Sequence, residues 1–121
     1  MREERVYQFV NTTRSSVLAT TARVADTSLT RLRGLLFTKE IQRGEGLFLT
    51  PCNSIHMFGM TYAIDAVFVD KNCRVVAALK AIRPWRMSPV YWRAAACLEL
   101  PPGTINDTGT EPGDQLERVF G

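Results

Sequence analysis

The stretch PCNSIHMFGMTYAIDAVFVD, residues 51–70, holds three residues that could do chemistry together. Cys52 could attack an electrophile, His56 could take the thiol proton, and Asp65 could orient the imidazole. His56 is the one histidine of the chain. Such a triad also needs oxyanion donors, yet no glycine-rich loop adjoins Cys52, which follows Pro51. A second chemistry is metal binding, with Cys52, His56 and Met57 or Met60 as soft ligands for copper(I) or zinc. The ligand count falls short of a closed site, and Met57 falls on the opposite strand face from His56. The same residues also fit the polar seam of a β-domain. The reading taken forward has no catalytic residue, no metal and no cofactor, with the cysteine-dependent enzyme as its alternative.

A second group lies at 80–93, KAIRPWRMSPVYWR. Lys80, Arg83, Arg86 and Arg93 alternate there with Trp85, Tyr91 and Trp92. Cations of this kind hold phosphate or carboxylate groups, and aromatic faces stack on flat ligands. The first expectation is a structural lid, its tryptophans covering the end of the fold. Next comes a small polar or anionic ligand, and nucleic acid ranks last, because the net charge is only +3. The residues expected to bind such a ligand are His56, Asp65, Arg83, Trp85 and Arg86. Charge is unevenly spread. Residues 71–98 carry six basic side chains and no acidic one, whereas 99–117 carry five acidic and no basic one. The two segments are expected to attract each other across the fold.

These groups must be positioned mainly by strands. Apolar residues recur at period two in 6–10, 16–26, 46–50, 54–60, 64–70, 73–82, 95–100 and 114–120. In 64–70, Asp65 shares a face with Val67 and Val69, and a carboxylate among valines must be given donors. If 54–60 lies beside 64–70, His56 is one candidate partner; backbone amides, Arg31 and Arg86 are others. In 26–37, Leu29, Leu32 and Leu36 recur at helical spacing, which predicts one short helix at about 27–36. A further helical turn is expected near 104–107. The polar run Asp70–Cys73 reads as a hairpin turn, Pro101-Pro102-Gly103 as the stop of a strand, and Pro112-Gly113-Asp114 as a turn entering the last strand. The fold class expected is mainly β: a compact sandwich or small barrel of seven to eight short strands.

At 121 residues and 45% apolar content the chain is expected to form a single domain, 1–121. Three cysteines and a charged N-terminus without an apolar signal core predict reduced thiols and a cytoplasmic protein. No stretch approaches the roughly 18 apolar residues of a membrane span, so no membrane partner is expected. A monomer is expected.

Several blocks resemble the domain-of-unknown-function family numbered 192, a bacterial and archaeal family. They are VADTSLTRLRGLLF (24–37), GEGLFLTPCNSIHMFGMTYAIDAVFVD (44–70), LELPPGT (98–104) and EPGDQLE (111–117). Met57, Ile64, Asp65, Phe68 and Asp70 fall at that family's spacing. PWR at 84–86 is similar to the basic loop of one subgroup. The chain departs at Ala63, where proline is common, and at Gly59, where a bulkier or amide residue is. The resemblance implies a compact, mainly β fold with a short helix after the early strands, and it implies no activity. The leading expectation is a binding or structural β-module of unknown ligand.

Overall fold

The computed structural model describes residues 6–25, 40–57 and 61–120. Seven strands form one mixed sheet: β1 Val6–Asn11, β2 Ser16–Ala25, β3 Glu45–Leu49, β4 Ile64–Val69, β5 Val75–Ile82, β6 Ala96–Leu100 and β7 Leu116–Phe120. Their order across the sheet is β5-β4-β6-β3-β2-β1-β7. All neighbours are antiparallel except β2 and β3. That parallel pair needs a crossover, which residues 26–44 supply. The helix expected at 27–36 falls on residues outside those described. The turn expected near 104–107 is helix α1, Thr104–Thr108.

The sheet curls into a half-barrel because its two edges meet at one end. Val75 donates to the Asp114 carbonyl at 2.8 Å, Gly113 to that of Val75 at 2.9 Å, and Leu116 to that of Cys73 at 2.9 Å. Asp70 shapes the turn that starts β5: its Oδ1 accepts the amides of Asn72 and Arg74 at 2.9 and 3.0 Å.

The central strands are buried on both faces, and their alternate residues enter two different cores. β4 is buried along its whole length. Val67 and Val69 face one core, with Phe9, Leu18, Phe48, Val75, Leu98, Ile105 and Leu116, so all seven strands and α1 contribute to that core. Phe9 and Phe48 stack there at 4.9 Å. Ile64, Ala66 and Phe68 face a second core with Leu47, Leu49, Cys52, Met57 and Cys97. A strand buried on both faces reads as a continuous apolar run, as IDAVFV does.

One polar network ties the β1–β2 turn to the approach of β7. Asp114 Oδ2 accepts from Asn11 Nδ2 at 2.9 Å, Arg14 Nε at 3.0 Å and the Glu111 amide at 3.1 Å. Arg14 also pairs with Glu111, and Arg43 with Asp107 at 3.0 Å. The acidic segment therefore finds its ion pairs, among the described residues, in the N-terminal half. Asp107, Glu111 and Asp114 thus take their cations from outside residues 71–98, while Arg74 of the basic segment donates to the Gly113 carbonyl at 2.8 Å.

Burial alone would raise the Asp114 pKa, but the bonds from Asn11, Arg14 and the Glu111 amide outweigh it and hold the carboxyl below its ordinary range. In mild acid the unfolded chain thus binds the proton more readily than the native one. The stabilisation is complete above the ordinary carboxylate range and is lost as pH falls through the depressed native value. Asp114→Asn should cost about 2 kcal/mol at neutral pH. Denaturation at several pH values should show that difference shrinking on acidification; a gap independent of pH would contradict the assignment.

Candidate functional site

The strand expected at 54–60 forms instead one rail of a ribbon, and its partner is not β4. Residues 53–57 pair with 85–91 through Trp85 N to Met57 O at 2.8 Å, Met57 N to Arg86 O at 2.7 Å, Ser88 N to Ile55 O at 2.8 Å and Tyr91 N to Asn53 O at 2.8 Å. His56 bridges Met87. Residues 58–60 lie outside the described residues. On the inner side Tyr91 packs on Phe68 at 4.8 Å between ring centres, and Ile55 and Met57 join the second core. The Ser88 hydroxyl is buried, accepting the Ile55 amide at 2.9 Å and donating to the Pro89 carbonyl at 2.9 Å.

The outer side is open. Trp85 is 66% exposed, Met87 66%, Val90 46% and Trp92 85%. Those four are the majority of the large apolar side chains exposed among the described residues. His56, Arg83, Arg86 and Arg93 are exposed beside them. The expectation of a tryptophan lid is thereby corrected: Tyr91 does the covering, and both tryptophans face water. Arg83, Arg86 and Arg93 make no ion pair among the described residues.

Trp85 also carries strain. The Arg86 amide donates to the Arg83 carbonyl at 3.2 Å, closing a turn with Pro84 second and Trp85 third, at φ 68°. Two other turns have the same plan, Pro102-Gly103 with φ 96° and Pro112-Gly113 with φ 94°. Both put glycine at the left-handed position, as a type II turn prefers. A bulky residue there costs on the order of 1–3 kcal/mol.

Asp65 stands behind the ribbon and takes no part in a triad. Its Oδ1 accepts the Ala81 amide at 2.8 Å and its Oδ2 the Ile105 amide at 2.9 Å. The carboxylate is 1% exposed, while His56 is a surface residue. Cys52 is buried, its Sγ donating to the Ser54 carbonyl at 3.1 Å. The structure thus brings His56, Trp85 and Arg86 together, sets Arg83 at the ribbon's entry, and leaves Asp65 as the support beneath that entry.

The sequence reading missed a further polar group. Glu99 is 1% exposed, on β6 between Leu47 of β3 and Ala66 of β4, facing the second core. Its charge reaches Tyr62: burial first, then Glu99 and Glu40, push that phenol's pKa up, against Arg23. The signal was legible as a glutamate inside the apolar run AACLEL. Two cavities, of about 330 and 190 Å³, lie beside α1 against β5 and β2, away from the ribbon.

Comparison with known proteins places this architecture. Residues 9–118 match the family DUF192, described as "Uncharacterized ACR". The chain belongs to that family. A UPF0127 protein of Thermococcus sibiricus is 34% identical over 89% of this chain and 72% of its own length. One from Pyrococcus furiosus is 33% identical over 89% and 95%. A solved protein of unknown function from Novosphingobium aromaticivorans superposes with a TM-score of 0.78 at 23% identity, covering 94% of this chain and 84% of that one. A putative transcription regulator from Sinorhizobium meliloti gives 0.75 at 21%, covering 96% and 94%. These two likenesses show the fold of the DUF192 chain and no more. Among the described residues, no helix is long and apolar enough to cross a membrane.

Two stability measurements test the site's construction. Asp65→Asn should cost about 3 kcal/mol, since amide NH₂ replaces an acceptor that faces a donor. His56→Gln, at the surface, should cost under about 1 kcal/mol; the reverse ranking would place the histidine at the centre. Trp85→Gly should leave the denaturation midpoint unchanged or raise stability by up to about 1 kcal/mol, as relieved strain offsets glycine's added chain entropy. A clear loss would mean that the indole's packing outweighs its backbone cost.

Proposed function

We propose that this DUF192 chain is a single-domain, cytoplasmic binding module, without a catalytic cycle, that takes an anionic ligand on the ribbon formed by 53–57 and 83–93. One observation carries the reading: His56, Arg83, Trp85 and Arg86 share one exposed, hydrogen-bonded ribbon in a segment free of acidic residues. Arginine forks hold phosphate or carboxylate groups, and the neighbouring indoles add contact area at little entropic cost. Asp65 contributes from below by fixing where β5 ends and the ribbon begins. The strain at Trp85 supports the same reading, because backbone strain gathers where function holds a side chain in place.

Trp85 and Trp92 are the two tryptophans of the chain, so fluorescence excited at the red edge, beyond tyrosine absorption, reports on this ribbon alone. Titration with inorganic polyphosphate at low salt should give a saturable change in that fluorescence. The apparent Kd should rise steeply with salt. The double variant Arg83→Gln, Arg86→Gln should weaken binding by about tenfold or more. An unchanged emission at saturating polyphosphate would overturn the reading.

A further inference from the structure

The ribbon carries more than an anion site requires. Met87 and Val90 are aliphatic, stand 66% and 46% exposed, and lie between the two tryptophans. Neither side chain binds an anion, and neither can stack on a base. An indole that is 85% exposed, as Trp92 is, can be reached from both faces, so it sits on a convex surface and not in a groove. The ribbon thus presents a convex apolar tip flanked by Arg83, Arg86 and Arg93.

We infer that the anion is a lipid headgroup, and that this ribbon seats the protein on an anionic bilayer surface. The inference rests on the anion-binding reading above. A bilayer requires no shape match from a convex tip. Its interfacial zone favours indoles, whose apolar body and polar N–H suit the boundary between acyl chains and water. Met87 and Val90 add apolar area that only an acyl environment rewards. The three arginines would lie against lipid phosphates, and each cation near such a surface strengthens attachment by about fivefold. Asp107, Glu111 and Asp114 are each paired with Arg43 or Arg14, which offsets part of their charge. The sequence reading excluded a membrane partner on the lack of an apolar span. Surface attachment needs no span, only side chains that enter the interface.

The test uses the full chain with vesicles of phosphatidylcholine alone, and of phosphatidylcholine with phosphatidylglycerol at about three to one. On the anionic vesicles tryptophan emission should shift to the blue, and lipids brominated in the upper acyl chain should quench it. On neutral vesicles binding should be at least tenfold weaker. In flotation assays, Trp85→Gly with Trp92→Ala should lose about tenfold in partitioning, and each Arg→Gln about fivefold. Neither substitution removes a buried side chain, so the variants should fold. Polyphosphate binding without vesicle binding overturns the lipid inference and leaves the anion reading standing. Loss of both overturns both. Equal binding to neutral vesicles overturns the headgroup assignment. A fluorescence change with a mixed-sequence single-stranded oligonucleotide, without one on vesicles, assigns the surface to nucleic acid and overturns the inference.

Discussion

The rest of the structure depends on one buried carboxylate. Asp65 lies on a strand buried on both faces, and an unanswered charge there would cost several kcal/mol. Two backbone amides answer it. Each also needs Asp65. Ala81 sits at φ 48°, where the β4–β5 register shifts between Ile64 and Ala66. The Ile105 amide belongs to the first turn of α1, whose N-cap is a glycine with no side-chain bond to offer. The cap that α1 lacks locally is supplied from the middle of the sheet. A single side chain therefore fixes where β5 stops, where α1 docks, and how Ile105 enters the first core.

The ribbon follows from that constraint. β5 must leave the sheet at Ile82, and the chain turns at once through Pro84 and Trp85. Hydrogen bonds to 53–57 then hold the turn in register, and Tyr91 against Phe68 anchors the far end. The inner side packs on the second core through Ile55, Met57 and Tyr91, so its outer side chains are presented from a backbone held at several points. Rigid presentation lowers the entropy lost when something binds. It also makes the left-handed Trp85 tolerable, since strain at a single residue persists only where its surroundings determine it.

Much of this was legible in the sequence, for physical reasons that differ by element. Strands β1 to β7 follow from short apolar runs set off by turn signals, and IDAVFV from burial on two faces. Asp65 stood out because a charge among valines must be answered, though by which donors depended on contacts distant in sequence. The partner of 54–57 was hidden for the same reason. A few hydrogen bonds to residues thirty positions away leave no local pattern, and the apolar alternation of SIHMFGM imitates a sheet strand. The tryptophan lid failed because composition places indoles near apolar surface without saying which side of the ribbon they occupy. Tyr91, one residue before Trp92, faces inward; alternation along the ribbon puts Trp92 outward. Glu99 was readable and was passed over, as a lone carboxylate in AACLEL raises the same question as Asp65.

The uneven charge along the chain now has a structural account. The acidic segment pairs with Arg14 and Arg43, and its buried Asp114 fastens the β1–β2 turn to the approach of β7. These carboxylates are therefore spent on the fold. The basic segment does the opposite: its arginines stand where no carboxylate of the described residues meets them, beside exposed apolar side chains. Stability alone does not favour that arrangement, because like charges clustered on a ribbon repel and exposed indoles gain nothing from water. Local energetics does not select that arrangement, and it contrasts with Asp65 and Asp114, whose carboxylates are each met by donors.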